Sequence, residues 1–167
     1  MEGWDKVIET ASKLRDLNLD FKLLLAGSDD ENYKQKLENL VDENNLNDYI
    51  IFENHYENIE IFFEKIDLFL FLTESEGFGL VVLEAIENNI PVVCSNIEPL
   101  SEFVENSYKT LVNRDNTGEI ANLVYKILND GDLIKQIQLK QKNKIKKEFP
   151  ITLSAEKHEK YYINLLN

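Results

Sequence analysis

Residues 67–95 read DLFLFLTESEGFGLVVLEAIENNIPVVCS. DLFLFLT is a short, continuously apolar run, and so is PVVCS at the far end. Both have the length and composition of strands covered on two faces. Between them, GLVVLEAIEN carries apolar residues at helical spacing and predicts a helix over 79–88. Strand, helix and strand in this order form a βαβ unit, whose strands lie parallel with a right-handed crossover.

Outward from this unit the same alternation continues. FKLLLAG (21–27), YIIFEN (49–54) and YKTLVN (108–113) predict further strands, and NIEIFFEK a short helix. Trp4, Val7, Ile8, Ala11, Leu14 and Leu17 recur at helical spacing, so a first helix covers roughly 4–17. SDDENYKQKLENLVDENN predicts a helix capped by Ser28 or Asp29. There Asp29, Asp30 and Glu31 complement the helix dipole rather than bind a metal. PLSEFVEN opens on Pro99, GEIANLVYKILND has one apolar face, and two more helical stretches, 132–148 and 152–166, surround Pro150. The expectation is an α/β chain, a doubly wound parallel sheet flanked by helices, in one domain over 1–167. One feature is odd: a βαβ domain opens on a strand, and this chain opens on a helix.

With 43% hydrophobic and 29% charged residues, the composition is that of a soluble globular protein. No run approaches the ~20 apolar residues of a membrane span, and MEGWDKVIETASKLR lacks the basic start and apolar core of a signal peptide. The single cysteine, Cys94, excludes an internal disulfide and reads as a small buried hydrophobe. A cytoplasmic protein is expected. The net charge of −13 repels nucleic acid and anionic membranes, so neither is an expected partner. The basic run KQIQLKQKNKIKK (135–147) lacks interleaved aromatics and reads as a solvated helix face.

Ligands of open parallel sheets bind beyond the carboxyl ends of the strands. The stretch after DLFLFLT is such an end, and Gly77-Phe78-Gly79-Leu80-Val81 leads from it into a helix. The first helical amides lack intrahelical partners and carry the positive end of the dipole, and two glycines admit close approach. Together they form an anion site without a basic side chain, suited to phosphate. It is not a dinucleotide fingerprint, because Val82 stands where a third glycine would be, and no Walker-type G-K-[ST] occurs. Glu76 and Glu84 flank the turn. As carboxylates they accept only, which suits the hydroxyls of a ribose and a sugar on either side of a phosphate. Spacing alone equally allows two solvated glutamates around a tight strand-to-helix turn.

EGFGLVVLE, Glu76 to Glu84, resembles the E-x7-E signature of the retaining glycosyltransferases of family 4, whose two-domain architecture is called GT-B. The resemblance extends through GWDKVIETASKL, LLLAGSDDENY, AIENNIPVV and EFVEN in order and spacing, over nearly the whole chain. It implies a Rossmann-like donor-binding half that handles a UDP- or GDP-sugar and moves a hexose to an acceptor hydroxyl with retention. By resemblance, Glu76 is the catalytic glutamate contacting the transferred sugar. Glu84 holds the ribose hydroxyls, and the backbone of Gly77, Phe78, Gly79, Leu80 and Val81 holds the diphosphate. His55 and Tyr56 would lie beside the base; Tyr56 either stacks on it or is a plain surface aromatic. No cofactor and no metal are implied. The alternatives are a non-catalytic nucleotide-sugar-binding partner subunit, and an unrelated α/β nucleotide-binding protein or an epimerase of similar architecture, in which the glutamate pair would be coincidental.

The departures are specific. Family members carry an arginine and then a lysine before the first helix, where Met1-Glu2-Gly3 stand here. The first strand and the amino-terminal acceptor domain are missing with them. An excised or standalone carboxyl-terminal half is therefore expected, holding donor weakly by itself, with any membrane contact left to the missing domain. Asn89 replaces a glycine, and Leu72-Thr73 a proline–serine pair. Nineteen asparagines beside many lysines and isoleucines point to an AT-rich bacterial genome and a surface-polysaccharide pathway.

Overall fold

A computed structural model describes residues 3–27 and 31–149; the expected cap at Ser28 or Asp29, the acidic Asp29 and Asp30, and the helix over 152–166 lie outside the described residues. In order the elements are α1 (Trp4–Asp16), β1 (Leu23–Ala26), α2 (Glu31–Glu43), β2 (Ile50–Glu53), α3 (Ile59–Phe63) and β3 (Phe69–Phe71). There follow α4 (Leu80–Glu87), β4 (Val92–Ser95), α5 (Leu100–Phe103), β5 (Leu111–Val112), α6 (Thr117–Leu128) and α7 (Gly131–Glu148). Every pairing is parallel, as the βαβ reading requires. The strands form two hydrogen-bonded groups, β2-β1 and β3-β4-β5.

The continuous apolar runs do what their composition asks. Leu23 and Leu25 join one core cluster with Val7, Ile8 and Ala11 of α1 and Ile120, Ala121 and Val124 of α6. Leu24 and Ala26 face the other cluster, built on Phe62, Phe63, Val82, Ala85, Ile86, Leu100 and Phe103. Leu70 and Phe69 divide the same way. Alternate side chains enter opposite layers, so both faces must be apolar. Cys94 is wholly buried in β4, where desolvation pushes its thiol up to about 12.

Two elements differ from their sequence reading. YKTLVN yields only Leu111–Val112 as strand. Lys109 adopts φ 58, and its N–H bonds the Asn106 carbonyl at 3.0 Å, so a turn consumes the first half of the run. Pro99 stands at the cap position, one residue before the helix it introduces. Because β5 is short, the edge of Val92 toward it has no strand partner, and a side chain substitutes. Gln141 of α7, buried to 1% exposure, accepts from Val92 N–H at 3.1 Å. It also donates to the Val92 carbonyl at 2.8 Å, satisfying both backbone groups. At the end of α4, Asn89 takes φ 59, the left-handed conformation that a glycine favours and asparagine tolerates.

Candidate functional site

β3 delivers the chain into the turn at Thr73, which is buried and doubly tied. Thr73 Oγ1 donates to the Ser75 carbonyl at 2.7 Å, and Ser95 Oγ of β4 donates to the Thr73 carbonyl at 2.6 Å. The hydroxyls thus clamp the entrance of the turn to the neighbouring strand. Its exit is set by Gly79, the N-cap of α4, at φ 82 and ψ 38. A Cβ there would stand 2.5 Å from Leu100 Cδ2 and 3.2 Å from Phe103 Cζ. Gly79 is buried, so its need for glycine comes from backbone conformation and packing against α5. Gly77 is exposed, with open space where its Cβ would be. The two glycines therefore have different reasons.

The Glu76 carboxylate folds back over the turn. Its Oε1 accepts from Gly77 N–H at 2.8 Å and from Phe78 N–H at 3.4 Å. In the helix the first bonds run from Val82 and Leu83 N–H to the Gly79 carbonyl. The amides of Leu80 and Val81 thus lie ahead of the helical ladder at its positive end. Phe78 and Leu80 are 56% and 63% exposed. Glu84 lies one turn beyond Leu80 on the same face, exposed, with no side-chain partner among the described residues.

Gly77 to Glu84 are local by sequence, but the fold adds Glu76 and Val81 to the lining of a cavity shared with β1, β3 and α3. Glu84 is not part of that lining. His55 is exposed just past β2. Tyr56 is held in a polar relay: its hydroxyl donates to Glu53 Oε2 at 2.9 Å and accepts from Lys65 Nζ at 2.5 Å. Lys65 Nζ also stands 5.0 Å from the Tyr56 ring centroid, and the ring packs on Phe62 with centroids 5.6 Å apart. Phe62 and Lys65 line the cavity, so Tyr56 backs its wall. The bonds from Tyr56 and then Lys65 hold the Glu53 carboxyl below its ordinary value, and the same relay raises Lys65.

Sequence reading missed Arg114. It follows β5, is only 15% exposed at the side chain, and reaches Glu74 at 3.5 Å and Asp5 at 3.9 Å. Its Nε and Nη1 make no hydrogen bond among the described residues. The available signal was its rarity: it is one of two arginines in a chain of net charge −13. No three His, Cys, Asp or Glu side chains converge as metal ligands among the described residues. No described helix is long and apolar enough to cross a membrane.

A helix start opening at the carboxyl edge of a doubly wound parallel sheet defines a Rossmann-like α/β domain. The chain belongs to the glycosyl transferases group 1 family, whose model matches residues 1–155. It is 29% identical over 98% of its length to the O-antigen biosynthesis glycosyltransferase WclY of Escherichia coli, of which it covers 44%. The chain thus spans less than half the length of that relative. The fold of this chain is shared with one domain's length of TarM of Staphylococcus aureus, solved with UDP: TM-score 0.86 and 23% identity, over 99% of this chain and 33% of that one. It is shared too with HepE of Anabaena, solved with UDP-glucose: TM-score 0.82 and 18% identity, over 98% of this chain and 45% of that one.

Proposed function

We propose that the chain is the donor-binding half of a retaining glycosyltransferase that moves a hexose from a nucleotide diphosphate sugar to an acceptor hydroxyl. The whole enzyme would act in the cytoplasm, in bacterial polysaccharide synthesis, the class of work printed for WclY. One observation carries the reading. At the carboxyl edge of the sheet, the Gly77 and Phe78 amides already hold one carboxylate oxygen of Glu76, and the Leu80 and Val81 amides lie ahead of the helical ladder beside them. A diphosphate oxygen is an anionic acceptor of the same kind, and a diphosphate carries two charges where the carboxylate carries one.

On this reading the donor's diphosphate displaces the Glu76 carboxylate, which then turns to accept from the hydroxyls of the transferred sugar. Glu84, exposed and without a side-chain partner among the described residues, accepts from the ribose diol one helical turn away. His55 lies toward the base, with Tyr56 supporting the wall behind it. The preorganised amides stabilise the charge that develops on the departing diphosphate. The acceptor attacks from the face that the leaving group vacates, so no covalent nucleophile and no metal are required. Orientation of donor against acceptor supplies the remainder, and the acceptor is held by a second half outside this chain.

Calorimetric titration with UDP, GDP, UDP-glucose and GDP-mannose tests this. One base is expected to bind weakly, and Glu84→Ala to reduce its affinity by about tenfold or more, since hydrogen bonds to charged groups are the strong ones. The melting temperature should stay unchanged, because Glu84 is exposed. Unaltered binding of every nucleotide in Glu84→Ala would overturn the donor-site reading.

A further inference from the structure

Three segments of chain meet where β3 and β5 end, and each brings a charge. Glu74 lies three residues past β3, inside the turn that leads to Glu76. Arg114 lies two residues past β5. Asp5 is the second residue of α1, whose start presses on the same end of β3, since a Cβ on Gly3 would collide with the Leu72 carbonyl. β4 stands between β3 and β5, so the Arg114 side chain reaches past it. Its Nη1 stands 3.5 Å from Glu74 Oε2 and its Nη2 3.9 Å from Asp5 Oδ1.

Neither contact is a hydrogen bond. Among the described residues Arg114 Nε, Arg114 Nη1 and Asp5 Oδ1 have no hydrogen-bond partner, although all three atoms are buried. A bidentate pair would have offset the guanidinium at close range with short parallel bonds. Arg114 instead stands loosely between two acids, and its side chain is 15% exposed against 68% for Glu74. A charge so covered keeps a field on its neighbours that water does not cancel. The turn needs such a field. The chain carries −13, and residues 73–84 hold Glu74, Glu76 and Glu84 but no basic residue. Their amide dipoles attract a phosphate while their carboxylates repel it. Among the described residues Arg114 is the one cation paired with an acid of this stretch.

We propose that Arg114 is the counter-charge of the donor turn. From the carboxyl end of β5 it offsets Glu74, which lets a diphosphate settle on the amides between Gly77 and Val81. It is a positioning residue, acting through Glu74 and through the local field, and it needs no contact with the ligand. The inference rests on the donor-site reading and adds to it a residue from a distant part of the chain.

NMR titration with UDP and with GDP, followed at the Gly77 and Phe78 amides, tests it at two salt concentrations. Arg114→Gln should lower the affinity of whichever nucleotide binds about fivefold in ~10 mM sodium chloride. In ~150 mM the loss should shrink to about twofold, because the phosphates stay in solvent and the Debye length falls from ~30 to ~8 Å. Glu74→Gln should raise the affinity about threefold at the lower salt, with less field to overcome. The double variant Arg114→Gln/Glu74→Gln removes both charges and should return to within about twofold of the unaltered chain. A role in packing alone gives a loss that ignores salt and that the second substitution does not reverse, and either result would overturn the proposal. So would an unchanged affinity in Arg114→Gln. If that variant does not fold, Glu74→Gln and Arg114→Lys decide. An affinity that does not rise in the first, or that falls more than about tenfold in the charge-keeping second, overturns the proposal. Glu84→Ala measured beside them separates the two questions. Weaker binding in Glu84→Ala with none lost in Arg114→Gln removes this inference alone, and no binding of either nucleotide removes the donor-site reading with it.

Discussion

Gly77 and Gly79 sit two residues apart and do unlike things. At Gly79 an added methyl meets both a left-handed backbone, which costs ~1–2 kcal/mol, and Leu100 at 2.5 Å. Gly79→Ala should therefore lower the melting temperature by about 4 °C or more, at ~2–4 °C per kcal/mol for a chain of this size. Gly77→Ala enters open space and should leave melting unchanged while weakening nucleotide-sugar binding. Calorimetry of the two variants, with and without ligand, separates the roles. The relay at Tyr56 is also a residue-scale device, and its sign is definite. Glu53 titrates below its ordinary 4.5, so its contribution is present above that value and is lost as pH falls through the lowered one. Lys65 titrates above 10.5, so its contribution holds below that value and is lost as pH rises through the raised one. Between those limits the relay is intact. Tyr56→Phe should return the Glu53 carboxyl toward 4.5 further than Lys65→Met does, because the hydroxyl is the larger cause; carbon-detected NMR titration reads it.

At the scale of elements, the short β5 has a consequence for α7. Had YKTLVN paired along its full length, Val92 would have had a strand partner, and a buried glutamine would have been a cost. Instead Gln141 completes the edge of β4 from a helix. Gln141→Leu keeps most of the volume but leaves a buried N–H and a buried carbonyl unsatisfied, together ~2–6 kcal/mol. The expected result in urea is a lower unfolding midpoint with an unchanged slope. An unaltered midpoint would mean that the amide pair contributes nothing. Asn89 shows the same logic at the end of α4: its side chain accepts from Lys142 Nζ at 2.8 Å, a contact with α7 that a glycine there would lack.

Over the whole molecule, charge is the dominant variable. A net charge of −13 on 167 residues sets the compact state against its own field. The ion pairs on this surface, such as Lys135–Asp132 at 3.9 Å, are exposed and worth little. Screening should therefore relieve more repulsion than it removes attraction. Raising sodium chloride from about 10 to about 150 mM, where the Debye length falls to ~8 Å, should raise the melting temperature by a few degrees. A fall would show that the ion pairs outweigh the net field. Arg114 differs in burial: its side chain is 15% exposed and stands between Asp5 at 3.9 Å and Glu74 at 3.5 Å.

The elements, their order and the parallel class were legible because continuous apolar runs and helical spacing are local signals. So was the turn from Glu76 to Glu84, whose residues stand together along the chain. The opening on a helix was legible as well, but not which side chains wall the cavity between β1 and β3. Which glycine is buried, how Glu76 closes on its own amides, and how Gln141 and Arg114 reach distant partners were decided by tertiary structure. Those features depend on side chains meeting across dozens of residues of chain, where burial and backbone pairing choose the partner and local propensity carries no information.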